Sequence, residues 1–314
     1  MYEALEQLDS ITLNFNQGSS LVVNIILALI MFGVALDLKL NQFREIIKKP
    51  KSLVLGIFSQ FFCLPAITFL LCIIFYKYIP PGIAFGMILV ASCPGGNISN
   101  FISSLAKANI ALSISLTSFS TIGAVIFTPL NFALWGRFYS NFIGRHSTEL
   151  LQPLTIDPLQ MFYTVFIILG IPVALGLLFR YKFTRLSIRI NKPVKTISIF
   201  LFFIIVIGAL AGNFSLFTKY IHYIFIIVLI HNGFALLTGY TVAKIGRLPL
   251  ADTKTLIIET GIQNSGLGLA LLLNPKIFSP DLAIGGMLMV TAWWGVWHII
   301  SGLGVAFLLL KRKS

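Results

Sequence analysis

The feature that most constrains this chain is a succession of apolar runs, each long enough to cross a bilayer. A membrane-spanning helix needs about 20 consecutive, mostly apolar residues. Nine such runs can be drawn, near 19–38, 52–76, 82–106, 109–135, 160–179, 194–214, 222–243, 253–274 and 281–310. They are apolar around the whole circumference rather than at alternate residues, which argues against a β-barrel. Of the 314 residues, 57% are hydrophobic and 11% charged. A soluble domain carries about 25% charged residues, so this chain has too little polar surface to cover a globule in water. The expected fold is an all-α polytopic membrane protein with nine transmembrane helices. Residues 1–18 then form an extracytoplasmic N-terminal segment, 19–310 the transmembrane domain and 311–314 a cytoplasmic tail.

The net charge is +13, from 23 Lys and Arg against 10 Asp and Glu. In a soluble protein that excess would suggest nucleic acid, but here the bases sit between apolar runs and no nucleic-acid partner is expected. With the N-terminus outside, 18 of the 23 fall in cytoplasmic segments: 39–51, Lys107, 180–195, the turn at 244–254 and the tail. Only Lys77, Arg137, Arg145, Lys219 and Lys276 stay outside. The positive-inside rule therefore sets N-outside and C-inside, and an odd number of spans requires that arrangement. The first eighteen residues carry Glu3, Glu6 and Asp9 and no base, the reverse of a signal peptide's basic start. Brief tails suit the inner membrane of a bacterium. Cys63, Cys72 and Cys93 lie in or beside apolar runs and imply no disulfide framework. The polar stretch 136–159 reads as an outer loop.

Helices 1–4 can be laid against helices 6–9 with helix 5 as the link. The two sets enter the membrane from opposite sides, which makes an inverted repeat. The third helix of each set is interrupted, by C-P-G-G-N-I-S-N at 93–100 and by E-T-G-I-Q-N-S-G at 259–266. Paired interruptions at corresponding places point to a secondary transporter's binding site. Gln60 in helix 2 and His231 and Asn232 in helix 7 are matching mid-span polar positions.

Only Glu259 among the acids lies well inside an apolar run. A charged group there costs about 2.5–3.5 kcal/mol on insertion scales, which a bound cation would offset; protonation is the alternative. At the first break, Pro94 removes a donor and Gly95 and Gly96 relax the dihedral limits. Unwinding would expose the start of a half-helix near Asn97, whose N–H groups favour an anion. A simple proline kink would account for Pro94 but not for Asn97, Ser99 and Asn100 after it. Ser113 and Thr117 share one face of helix 4, although such hydroxyls often bond their own helix. Gln263, Asn264 and Ser265 fill the second break. Together these groups make an all-oxygen environment suited to a hard monovalent cation rather than to calcium or zinc. His298 sits among Trp293, Trp294 and Trp297, where a structural hydrogen bond is the bland reading.

At these residues the sequence resembles the bile acid:sodium symporter family. The resemblance rests on S-C-P-G-G-N-I-S-N-F at 92–101, N-I-A-L-S-I-S-L-T-S at 109–118, I-E-T-G-I-Q-N-S-G-L at 258–267 and W-H-I-I-S-G at 297–302, and runs from about residue 22 to the end of helix 9. It implies two broken, crossing helices, a panel of helices 1, 5 and 6, and a core of the rest. It also implies two sodium ions. One would take Ser99, Asn100, Ser113, Thr117 and Glu259; the other Gln60, Glu259, Gln263 and the backbone oxygens of Thr260 and Ile262. The organic anion would lie near Asn97, Asn264, Ser265 and His298. Ile299 follows His298 where some bacterial relatives have Asn, and Asn97 stands where some have Thr. Family substrates include bile acids, steroid conjugates and small carboxylates such as pantoate.

Other readings remain open at this level. An arsenite or oxyanion exporter of related plan has Cys93 in its favour. A channel, or a sensor that binds sodium and ligand without moving them, would use the same groups. No ordered triad or nucleophile turn marks an enzyme. The sequence carries no signal for oligomeric state and is compatible with a monomer.

Overall fold

The computed structural model describes residues 2–11, 17–37, 50–96, 98–146, 158–211, 214–279 and 282–311. These form twelve helices: α1 (Tyr2–Asp9), α2 (Gln17–Asp37), α3 (Pro50–Ile74), α4 (Pro81–Ser92), α5 (Ile98–Leu105), α6 (Ile110–His146), α7 (Leu159–Lys182), α8 (Thr184–Ala211), α9 (Phe214–Ile245), α10 (Leu250–Gly261), α11 (Ser265–Leu272) and α12 (Gly285–Leu310). Among the described residues there is no strand; Gly95 and Gln263 form an isolated antiparallel bridge. Helices α3, α6, α7, α9 and α12 are long and apolar enough to cross a membrane, and α2 and α4 carry shorter apolar stretches. Large apolar side chains such as Ile74, Leu130 and Phe307 point outward and are mostly exposed, as a lipid-facing surface requires.

Proline shapes two of the spans. Pro65 has no N–H to return to its own helix, and its ring would crowd the carbonyl four residues back. Helix α3 answers with a wide π-turn over Ser59–Cys63, closed by Leu64 N–H donating to Ser59 O. Pro172 does the same to α7, with a π-turn over Phe166–Gly170 closed by Ile171 N–H donating to Phe166 O. The turn in α3 carries Gln60.

Helix α6 departs from the sequence expectation. It continues to His146 through residues expected to be loop. Trp135 packs at a tilt against Phe69 at 5.2 Å, Phe142 meets Tyr76 at 5.3 Å, and Tyr139 is buried with its ring 5.6 Å from Phe85. Aromatic packing on α3 and α4 holds the extra turns, and aromatic pairs add to area burial. The expected loop beyond residue 146, the 39–49 loop and the last three residues of the tail lie outside the described residues.

Helix α2 packs on α7 and α8, while α3–α6 and α9–α12 pack among themselves. The ends of the second group are tied by carboxylates. On the side where α10 begins, Asp252 accepts from Ser52 Oγ at 2.6 Å and from Asn109 Nδ2 at 2.8 Å. Asn109 Oδ1 in turn caps α6 by accepting from Leu112 N–H at 3.1 Å. One acid thereby joins the N-termini of α3, α6 and α10, where helix dipoles favour negative charge.

At the other side the acid is supplied by α1. Leu5 and Leu8 are fully buried, and Asp9 Oδ2 accepts from Gly82 N–H at 2.6 Å at the start of α4. The same carboxylate abuts Gly286 at the start of α12. Burial pushes the Asp9 carboxyl from 3.8 up to about 7; bonds from the Gly82 and Ile83 amides oppose this, and Glu6 adds to it. A carboxyl whose folded value is raised contributes stability that is full below the free value and lost as pH rises through the folded value. Docking of α1 should therefore be firm at acid pH and loosen as pH climbs through neutrality. Hydrogen exchange in residues 2–9 should be slower at acid than at alkaline pH after correction for the intrinsic rate. Asp9→Asn should flatten that dependence; an unchanged profile in the variant would assign it to another group.

Candidate functional site

Two helix breaks meet at mid-bundle. The chain leaves α4 at Ser92 and re-enters helix at Ile98; it leaves α10 at Gly261 and re-enters at Ser265. The unwound segments run antiparallel, with Gly96 N–H donating to Ile262 O at 2.7 Å and Asn264 N–H donating to Pro94 O at 2.8 Å. Gly95 and Gln263 face each other between these bonds, in the closer of the two antiparallel pair types. The released backbone groups are thus satisfied by protein, as membrane depth demands.

The glycines at the break have a different purpose from the one expected. No described glycine has a positive φ. Gly95 and Gly96 are small because other groups pass closely. A Cβ on Gly95 would lie 2.7 Å from Gln60 Nε2 and 3.1 Å from Glu259 Oε2, and one on Gly96 would lie 3.1 Å from Gln263 O.

Glu259 is fully buried in the last turn of α10. Ser99 Oγ donates to Glu259 Oε1 at 2.6 Å, and Ser113 Oγ is also bonded to Oε1. Thr117 Oγ1 lies 3.1 Å from Oε2 and 3.3 Å from Ser99 Oγ. Asn100 Oδ1 is 2.9 Å from Ser113 Oγ and 3.4 Å from Thr117 Oγ1. Each hydroxyl has one hydrogen and two lone pairs. The cluster therefore holds more acceptors than donors: two carboxylate oxygens, one amide oxygen and three hydroxyl oxygens from α5, α6 and α10. That is the donor set of a hard cation, with a single formal negative charge.

A second group of oxygens lies on the other side of Glu259. Gln60, carried by the π-turn of α3, donates Nε2–H to Glu259 O at 2.9 Å. Gln263 donates Nε2–H to Thr260 O at 2.8 Å. Both side chains are fully buried, and Oε1 of each has no hydrogen-bond partner. Two orphaned amide oxygens beside a buried carboxylate are costly in a low-dielectric interior, and a cation between them would relieve that cost. Ile262 O is engaged by Gly96.

The remaining sequence candidates divide. Asn264 caps α11, its Oδ1 accepting from Leu267 N–H at 3.1 Å, and Ser265 is buried in the first turn of that half-helix. Asn97 lies outside the described residues. His298 is not in the Glu259 cluster; its Nδ1–H donates to Trp294 O of its own helix at 2.6 Å, since a carbonyl can only accept. Cys93 is fully buried with its sulfur packed toward Gly268. Two contacts went unassigned in the sequence: Ser59 Oγ to Thr260 Oγ1 at 2.8 Å, and Asn232 Nδ2–H donating to Gly261 O at 2.7 Å. The signal available was a polar residue at mid-span, which does not name its partner.

Comparison with known proteins follows the same lines. The profile of the Sodium Bile acid symporter family matches residues 24–220. The uncharacterized sodium-dependent transporter YocS of Bacillus subtilis (strain 168) is 32% identical over 280 residues, covering 89% of this chain and 80% of that protein. Sodium/bile acid cotransporter 4 of Mus musculus is 29% identical over 301 residues, 94% of this chain and 64% of that protein. The P3 protein of Mus musculus is 31% identical over 251 residues, 77% of this chain, and the chain spans only 48% of its length. A match to more than half of the chain, over helices that build both the Glu259 hydroxyl cage and one side of the crossing, makes this chain a member of the Sodium Bile acid symporter family.

Proposed function

We propose that the chain is a secondary active transporter that carries an organic anion together with sodium by alternating access. The observation that carries this reading is the fully buried Glu259 carboxylate, ringed by Ser99, Ser113 and Thr117, with the unpartnered oxygens of Gln60 and Gln263 beside it. Two sodium ions are accommodated. One takes Ser99, Asn100, Ser113, Thr117 and Glu259; the other takes Gln60, Glu259 and Gln263 with the carbonyls of Thr260 and Ile262, each of which has a second lone pair beside the one that accepts from Gln263 or Gly96. Sodium neutralises Glu259 and ties α5, α6 and α10 together. The anion then binds at the start of the half-helices, where Asn97, Asn264 and Ser265 stand and where N–H groups and dipoles favour negative charge. His298 of α12 stands with them as a candidate for contact with the anion.

The same reading holds that the chain has nine spans in an inverted repeat, with its N-terminus outside and its C-terminus in the cytoplasm of a bacterial cell. Helices α2, α7 and α8 form the panel and the others the core, which rocks against it. A monomer suffices, because every proposed ligand comes from one chain. Bile acids, steroid conjugates and small carboxylates such as pantoate are the substrate classes. Cys93, the residue in favour of an oxyanion exporter, is fully buried with its sulfur beside Gly268 of α11.

Uptake of labelled taurocholate and pantoate into proteoliposomes is the direct test. Accumulation should require a sodium gradient and vanish when potassium or choline replaces it. Equal uptake in potassium would reject sodium coupling, and sodium-dependent binding without accumulation would identify a sensor.

A further inference from the structure

The carbonyls of a helix's last turn have no partner within the helix, and at α10 they can be accounted for one by one. Ile258 O accepts from Ile262 N–H at 3.0 Å. Thr260 O and Ile262 O take donors from Gln263 and Gly96, residues of the crossing itself, and Glu259 O takes one from Gln60 on the π-turn of α3. Gly261 O is held at 2.7 Å by Asn232 of α9, a residue outside both groups of oxygens. Asn232 is 1% exposed, so water offers that carbonyl no substitute.

Helix α9 is a rigid backing for this bond. Gly239 lets its backbone press onto Leu256 O of α10, and Leu236 packs on Gly261. One residue before Asn232, His231 shares a 2.8 Å hydrogen bond with Thr68 of α3 and sets its ring 4.8 Å from that of Trp294 in α12. Asn232 therefore donates from a point braced against three helices. Its effect extends to the neighbouring carbonyls. Ile262 is extended, with φ −115° and ψ 96°, and carbonyls on either side of an extended residue point in opposite directions. Turning Gly261 O toward α9 sends Ile262 O toward the other break.

We propose that Asn232 is a positioning residue for cation binding: it pins the Gly261 peptide so that the Ile262 carbonyl turns away from α9 and toward the other break, beside the buried Glu259 cluster. This rests on the sodium-coupled reading above. The residue touches neither ion nor anion, and its influence passes through one backbone oxygen. Its loss weakens sodium without removing a ligand and leaves the anion site intact once sodium is saturating.

The test is a sodium titration of uptake in proteoliposomes, together with a sodium titration of thermal stability, for wild type, Asn232→Leu and Asn232→Asp. Asn232→Leu keeps the volume and removes the donor. Its half-saturating sodium concentration should rise about tenfold, the loss expected for one buried hydrogen bond, while the anion KM at saturating sodium stays unchanged. Asn232→Asp can donate only when protonated, so its sodium affinity should approach that of wild type at acid pH and fall away at alkaline pH. A half-saturating sodium concentration matching wild type in folded Asn232→Leu would overturn the proposal. Should that variant fail to fold, an Asp variant that tracks wild type at both pH extremes would overturn it equally. If wild type itself shows no sodium response, the coupling reading fails instead, and this inference with it.

Discussion

Replacing Glu259 by glutamine is expected to abolish sodium-driven uptake while leaving the protein folded in the membrane. Glutamine keeps the length and shape of the side chain and removes the one formal charge in the cluster. At a separation of about 4 Å a unit charge attracts a cation by about 4 kcal/mol at an effective dielectric of about 20, which is roughly a thousandfold in affinity. The hydroxyls of Ser99, Ser113 and Thr117 and the amide of Asn100 remain, yet neutral oxygens alone do not replace that term. Folding should not suffer, because a neutral amide at membrane depth costs less than a carboxylate. The two effects separate in a thermal melt. Wild type should gain stability with rising sodium, since a ligand that binds only the folded state stabilises it. Glu259→Gln should melt at or above the wild-type temperature without sodium and show no gain with it. Retained sodium-dependent uptake in the variant would remove Glu259 from the coupling site and the proposed mechanism with it.

Gly95→Val should be nearly as damaging, for a steric reason. The crossing is closed by two backbone hydrogen bonds with Gly95 opposite Gln263. Any Cβ at 95 falls within 2.7 Å of Gln60 Nε2 and 3.1 Å of Glu259 Oε2, and a branched side chain adds two methyl groups to that contact. Overpacking of this kind costs typically about 1–3 kcal/mol, and here the strain pushes Gln60 away from the second group of oxygens. Uptake should fall by at least about tenfold, on the basis that 1.4 kcal/mol is a factor of ten, with a lower melting temperature in detergent. Gly144→Ala is the control. Nothing lies within 4 Å of its added Cβ, and alanine is the better helix former by about 1 kcal/mol, so uptake should be unchanged and stability equal or higher. Matching loss in both variants would mean that glycine is needed for backbone freedom in general and not for the crossing.

The chain's own order of residues determined its solvent, its helical class and the places where two helices fail. Apolar runs without alternation can satisfy their backbone in lipid only as helices. A buried acid such as Glu259, and clusters such as 93–100 and 259–266, stand out because polar groups inside such runs cost free energy that something must offset. Periodicity could also put Ser113 and Thr117 on one face. It could not say that Gly95 and Gly96 are there for close approach and not for unusual dihedrals, since that depends on what passes on the other side. It could not continue α6 to His146, because the turns beyond Arg137 are held by Phe69, Tyr76 and Phe85 against Phe138, Phe142 and Tyr139 and not by local hydrophobicity. It allowed His298 a structural hydrogen bond, but could not name Trp294 O of the same helix as the partner. Contacts such as Ser99 with Glu259, 160 residues apart, and Asn232 with Gly261, 29 apart, arise only when the helices pack. A hydrogen bond is decided by distances of tenths of an ångström between elements remote in sequence, and only the tertiary structure sets those distances.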